Sequence, residues 1–282
     1  MNKKIAFLGA GSMAEALIAG IVKKGETSPG DLWVCNRNNN PQLERLKTNY
    51  GVIPCRNMSS LLTDADIILI AVKPKDVYTV LQQAKPYLTS KMVLISVAAG
   101  ISTQSIEAII ENTLPIIRAM PNTSAAVGKS ATAISGNTYM KPEHLTLAKE
   151  IFKTVGMVVF TEEEKMDAVT GLSGSGPAYI YYLIEAMQQS AQQIGLNHQE
   201  AQTLIIQTLM EAAEMVHSSD KSPKMLRYEV TSPGGTTEAG IQILEQHGVK
   251  EAFIKCIQEA TLQSERMGKE LGSKIKEKIL YE

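Results

Sequence analysis

Gly9-Ala10-Gly11-Ser12-Met13-Ala14 follows a short apolar run, Lys4 to Leu8, and leads into Met13 to Lys24, whose apolar residues recur at helical spacing. In such a turn the first glycine permits a tight bend and the second lets backbone approach a pyrophosphate. The third small residue, here Ala14, lets the helix pack close on the strand. The helix start offers unpaired N–H groups and a partial positive charge to phosphate oxygens. This is the chemistry of a dinucleotide held at Leu8, Gly9, Ala10, Gly11, Ser12 and Met13; a bare strand-to-helix turn is the structural alternative. Roughly 20 residues further on, NAD-preferring chains place a carboxylate for the ribose 2′-OH. Cys35-Asn36-Arg37-Asn38 has none, and Arg37 can meet a 2′-phosphate through a charge-assisted hydrogen bond. NADP is favoured, as NADPH, with NADH admitted; a solvated loop arginine is the alternative.

Ala71-Val72-Lys73-Pro74 ends the continuous apolar run Ile67 to Val72, in the crevice where doubly wound sheets bind ligands. Lys73 faces the cofactor or an anionic substrate there, or merely snorkels to solvent. Val97-Ala98-Ala99-Gly100 and Met120-Pro121-Asn122-Thr123 end the next two strand-like runs, so three strand ends make one wall. Gly171-Leu172-Ser173-Gly174-Ser175-Gly176-Pro177-Ala178 lacks the lysine of a phosphate loop, and its serines lack the flanking glycines of a nucleophile elbow. Pro177 suits a first helical position, which makes this a structural loop. In Val230-Thr231-Ser232-Pro233-Gly234-Gly235-Thr236-Thr237, backbone N–H groups and three hydroxyls can hold a small carboxylate. A helix start capped by Thr236 or Thr237 is the plainer reading. Four histidines without ligand spacing, and Cys35, Cys55 and Cys256 without a CxxC pair, point to no metal, no disulfide framework and a reducing compartment.

The elements that position these residues change character along the chain. Apolar runs at Lys4–Leu8, Leu32–Cys35, Ile67–Val72, Val93–Val97, Pro115–Met120 and Gly156–Phe160 alternate with helical stretches. That pattern implies right-handed crossovers and a mostly parallel sheet; Asn57 or Ser59 caps a short helix on the way. Beyond Glu162-Glu163-Glu164 the periodicity is helical, over Val169–Leu172, Ala178–Ile194, Glu200–Val216, Thr236–Gln246 and Lys250–Met267, with Gly195, Gly248 and Gly268 placed as C-caps. Ala178 to Ile184 is apolar all round and predicts a helix buried on every side, most easily by dimer packing. At about 150 residues per domain, 282 residues make roughly two domains. Residues 1–160 carry 17 Lys+Arg against 11 Asp+Glu, and residues 161–282 carry 11 against 18. The positive half suits a polyanionic ligand, and its scattered cations do not form a nucleic-acid stripe. The longest apolar run is seven residues, against about 20 for a membrane span. With no secretory signal at Met1-Asn2-Lys3-Lys4, the expectation is a soluble cytoplasmic protein without nucleic-acid or membrane partners.

In this order, the glycine turn, Ala71–Pro74, Val97–Gly100, Met120–Thr123, Gly171–Ala178 and Ser232–Thr237 resemble the pyrroline-5-carboxylate reductase family from Ile5 to about Met267. Ser124, where many relatives have proline, is one departure, and Asp220, where some carry a glutamate near the substrate, is another. The resemblance implies an α/β chain: a Rossmann-type NADP-binding domain at 1–162 and an all-helical dimerisation and substrate-binding domain at 163–282. Relatives form homodimers, often built up to decamers. By the same resemblance Leu8 to Met13 wrap the pyrophosphate, Asn36 and Arg37 meet the 2′-phosphate, and Asn57 lies by the adenine ribose. Ala71, Val72, Lys73, Pro74, Val97, Ala98 and Ala99 line the cofactor. Ser232, Gly235, Thr236 and Thr237 hold the substrate carboxylate across the dimer interface, with Val230 and Asp220 nearby. The implied reaction is hydride transfer to the imine carbon of 1-pyrroline-5-carboxylate, giving L-proline in the last step of proline biosynthesis. Thr237 would position or relay the proton at the ring nitrogen. A β-hydroxyacid dehydrogenase-like enzyme is one rival, but it needs a lysine base and none lies between Gly171 and Gly195. A non-catalytic NADP-binding regulatory paralogue is the other, and the intact Ser232–Thr237 turn counts against it.

Overall fold

The computed structural model describes residues 3–280. They divide into two compact units: residues up to Ser175 together with those from Glu259 onward, and Gly176–Gln258. The pattern change at residue 163 marks where strands end, whereas the first unit runs on to Ser175 and takes back the end of the chain.

In the first unit, β1 (Ile5–Leu8), β2 (Leu32–Cys35), β3 (Ile53–Pro54), β4 (Ile67–Ile70), β5 (Val93–Ser96), β6 (Ile116–Met120), β7 (Ser130–Gly136) and β8 (Gly156–Phe160) form one sheet ordered β3-β2-β1-β4-β5-β6-β7-β8. Every neighbouring pair is parallel except β6 and β7. The order reverses between β1 and β4, which is where a doubly wound sheet opens its ligand crevice. The antiparallel β7 and the two-residue β3 are absent from the sequence expectation; the other strands match it to within two residues at each end.

Helices α1 (Ser12–Lys24), α2 (Asn40–Tyr50), α3 (Met58–Leu62), α4 (Val77–Ala84), α5 (Thr103–Ile110) and α6 (Pro142–Lys153) cover the sheet. Strand alternation sends Ile5 and Phe7 to one face, with Leu17 and Ile21 of α1 and Phe152 of α6. Ala6 and Leu8 go to the other, with Leu81 of α4 and Ile106 of α5. Both faces of β4 are buried without exposure, as a continuous apolar run in a parallel sheet requires.

After α7 (Met166–Val169) comes a π-helical turn, Thr170–Gly174, where a regular helix is expected to run to Leu172. The remaining helices are α8 (Gly176–Gln193), α9 (His198–Ser218), α10 (Pro223–Glu229), α11 (Thr236–Gln246) and α12 (Val249–Leu280). Pro177 therefore stands in the first turn of α8, one place later than expected. Gly268 is not a C-cap: α12 passes straight through it. There the missing side chain lets the helix lie against Gly100, whose carbonyl oxygen would be 3.3 Å from a Cβ at Gly268. Beyond it, Leu271, Ile275 and Ile279 join the core on the β4–β5 face.

The second unit is thinly packed by itself. Asn197 and Glu200 cap α9 reciprocally, and Ala191, Ala201 and Ile205 are the buried residues of the small cluster between α8 and α9. The segment Ala178 to Ile184, expected to be buried on every side, exposes Ile180, Tyr181 and Tyr182 in the single chain. No helix among the described residues is long and apolar enough to cross a membrane.

Candidate active site

At the crevice, backbone hydrogen bonds stitch the strand ends together. Gly9 N–H donates to Cys35 O (3.1 Å), Ala71 N–H to Leu8 O (2.8 Å) and Val97 N–H to Ile70 O (3.0 Å). Gly9 sits at φ +114°, and a Cβ there would strike Ala71 O at 2.5 Å, so only glycine lets β4 come this close. A Cβ on Gly11 would meet nothing within 4 Å; the space above it is open for a phosphate. No side chain caps α1, which leaves its first N–H groups to a ligand. Ala14 is fully buried beneath the turn. The three small positions thus have the backbone and packing geometry that such a turn requires, and the cradle fits a pyrophosphate.

The ribose end differs from expectation in detail. Arg37 is exposed and its guanidinium pairs with Asp76 at 3.4 Å, a partner without a signal in the local sequence. The Asn36 side-chain oxygen accepts from Asn38 N–H (3.0 Å) and Asn39 N–H (2.9 Å). It shapes the loop that carries Arg37. Asn57 caps α3 by accepting from Ser60 N–H at 2.9 Å. Lys73 is exposed, and Ala98 is buried with its N–H on Ser96 Oγ (3.3 Å).

Two polar groups of the first unit have partners that the sequence expectation does not give. Asn122 donates through Nδ2 to Ser173 O (3.0 Å) and accepts from Ser124 N–H (3.1 Å), which ties the end of β6 to the π-helical turn. Arg118, buried within β6, pairs with Glu163 (3.2 Å) and Asp167 (3.4 Å). Glu163 also accepts from Thr103 N–H and Ser135 Oγ, and Asp167 from Ser264 Oγ. An arginine inside an apolar strand run is the signal for such a hub, since a buried charge needs partners.

In the second unit, Ser232 O accepts from Gly235 N–H at 3.0 Å. Pro233 and Gly234 (φ +72°) stand at the corners, which is the residue pattern of a type II turn. The turn delivers Gly235 as N-cap of α11 with no side-chain cap, so Thr236 and Thr237 are the first two helical residues. The capped-start reading of Thr236 or Thr237 is corrected accordingly. Instead Glu238, three residues past the cap, accepts from Gly234 N–H at 2.7 Å. A glutamate at that spacing is half of the capping-box signature and is visible in the sequence. Ser232, Thr236 and Thr237 lie at the surface, as does Asp220. Next to Asp220, Lys221 pairs with Glu229 at 2.7 Å, just before Val230. Among the described residues no group of three or more His, Cys, Asp or Glu could hold a metal ion.

Known proteins share this chain's sequence and fold. Residues 163–267 match the family described as pyrroline-5-carboxylate reductase dimerisation. Residues 4–100 match NADP oxidoreductase, coenzyme F420-dependent. Pyrroline-5-carboxylate reductase 2 of Bacillus subtilis is 45% identical over 262 residues, 93% of this chain and 94% of its own. A solved pyrroline-5-carboxylate reductase from Coxiella burnetii is 35% identical with TM-score 0.87, covering 95% of this chain and 99% of that one. A Plasmodium falciparum pyrroline carboxylate reductase solved with NADP bound is 30% identical with TM-score 0.87, covering 95% and 98%. With the glycine cradle and the Ser232–Thr237 turn both in place, this chain belongs to the pyrroline-5-carboxylate reductase family.

Proposed function

We propose that this chain is an NADPH-dependent oxidoreductase that reduces 1-pyrroline-5-carboxylate to L-proline, the last step of proline biosynthesis, as a cytoplasmic homodimer. One observation carries the reading: both binding turns occur in one chain that aligns with family members over nearly its whole length. When bound, the cofactor supplies a hydride from the nicotinamide C4 for the imine carbon. The chain's own residues hold and orient. Leu8 to Met13 and the uncapped α1 N-terminus take the pyrophosphate, and Arg37 exchanges Asp76 for the 2′-phosphate. The strand ends Ala71–Pro74 and Val97–Ala99 bound the nicotinamide side.

The carboxylate of the imino acid is taken by Ser232 Oγ and by N–H groups of Thr236 and Thr237, with Gly235 as the cap residue that places them and Val230 and Asp220 as neighbours. A protonated imine is already electrophilic, so orientation supplies much of the acceleration and no strong protein acid is required. The Thr237 hydroxyl holds the proton at the ring nitrogen. A steady-state assay with 1-pyrroline-5-carboxylate and NADPH tests the reading. Substrate-dependent NADPH oxidation with proline as product is expected. A folded dimer that binds NADPH and turns nothing over would overturn it in favour of a non-catalytic binding protein.

A further inference from the structure

Cys35 and Cys55 are neighbours across β2 and β3. The parallel register pairs Trp33 with Ile53 and Val34 with Pro54, and Cys55 N–H donates to Val34 O at 2.9 Å, which extends the pairing by one residue. Both thiol-bearing side chains pack against the same core face as Trp33, whereas Val34 packs on the opposite one. Neighbouring strands lie about 4.8 Å apart, within the Cα separation of about 4.4–6.8 Å that a disulfide spans. The mean Cβ separation of a disulfide is shorter, about 3.8 Å, so closing the bond draws the two strand ends together. Strained bonds of this kind are the labile, regulatory ones.

The residues next to each cysteine give that movement a consequence. Asn36 and Arg37 come directly after Cys35, and the Cys55 thiol donates to Asn57 O at 3.3 Å, a bond that a disulfide removes. We propose that Cys35 and Cys55 are a redox-modifiable dithiol whose oxidation to an intramolecular disulfide weakens NADPH binding; the consequence rests on the reading of this edge as the 2′-phosphate site. The oxidant is a small-molecule disulfide. One cysteine thiolate attacks it and expels a thiolate; the second attacks the resulting mixed disulfide and expels another. Two protein thiols are oxidised, one disulfide is reduced to two thiols, and the protein's two protons end on the two expelled thiolates.

The test uses the full-length chain with exposed Cys256 replaced, Cys256→Ser, incubated with oxidised glutathione and read by intact mass, thiol titration and NADPH affinity. The expected result is loss of both thiols without a glutathione adduct, with NADPH affinity falling about tenfold, on the scale of one charge-assisted contact, and restored by dithiothreitol. Adding Cys35→Ser or Cys55→Ser should leave only the mixed adduct. Thiols that stay reduced, adducts without ring closure, or a disulfide with unchanged NADPH affinity would each overturn the proposal. Because mass reads the bond without the cofactor, failure of the thiol chemistry is separable from failure of the 2′-phosphate assignment, which Arg37→Ala reads alone.

Discussion

The two compact units bury very different amounts of apolar surface by themselves. In the first, both faces of the central strands are covered by helices and large side chains such as Phe7, Leu17 and Phe152 are fully buried, although Met157, Val159 and Phe160 of the edge strand β8 are exposed. In the second, three residues form the buried part of the cluster, while Tyr182 is 73% exposed and Met210 63%. Ile180, Tyr181, Ile206, Ile243 and Leu244 are exposed as well. Apolar surface on this scale marks an interaction site. The nucleotide-binding half is folded by its own core; the helical half leaves apolar surface for a partner to cover. Its agreement with a dimerisation family over 163–267 fits that difference.

The largest effect should come from preventing that cover. Ile206 and Met210 lie one turn apart on α9, and both are exposed in the single chain. The double substitution Ile206→Glu with Met210→Glu places carboxylates where the second copy should pack. An uncompensated buried charge costs about 3–5 kcal/mol, and two-fold symmetry presents each substitution twice. Light scattering should show a monomer at micromolar concentration, with imine reduction abolished and NADPH binding in the first unit retained. A dimer of unchanged affinity would remove the distinction between the units.

The same contrast explains what is legible in the sequence. Parallel strands buried on both faces read as unbroken apolar runs, so Ile67–Ile70 and Val93–Ser96 announce themselves. Ser130–Gly136 does not, because its buried positions are filled by serine, threonine, alanine and a single isoleucine. The glycine turn and Ser232–Thr237 are readable because local backbone conformation makes them, within a few residues. The partners of Arg37 and Arg118 are not, since they lie 39 to 49 residues away. Gly268 reads as a C-cap for a related reason: nothing local says that a helical glycine exists to admit Gly100. Helix α10 shows no periodicity because seven residues are too few.

A second prediction keeps to the first unit. Arg37→Ala should raise the NADPH KM by about 10- to 150-fold, the equivalent of roughly 1.5–3 kcal/mol for a hydrogen bond to a charged group. The NADH KM should move little, because NADH has no 2′-phosphate. The exposed pair with Asp76 does not oppose this much, since such pairs contribute about 0–1 kcal/mol. Equal changes for the two cofactors would show that Arg37 is only a surface cation.

The last prediction sets the turn of the second unit against that result. Thr237→Val keeps the side-chain shape and deletes one hydroxyl, and NADPH binding should not change. If Thr237 meets the imino acid, kcat/KM for 1-pyrroline-5-carboxylate should fall by about 1–3 kcal/mol, five- to 150-fold, the cost of a buried polar partner left unpaired. A loss confined to KM means that the hydroxyl binds substrate and transition state alike; a parallel loss in kcat means that it holds the proton as the hydride arrives. Loss of a cap would instead lower stability by about 1 kcal/mol with kinetics intact, but Gly235 occupies the cap position and no side chain caps α11, so the melting temperature should stay put. Proline, which shares the ring and carboxylate, should compete less well against the variant than against the parent. Combined with Arg37→Ala, the two losses should add, because each acts on a different ligand. Imino-acid kinetics and proline inhibition that both ignore Thr237→Val would reduce this turn to the start of a helix.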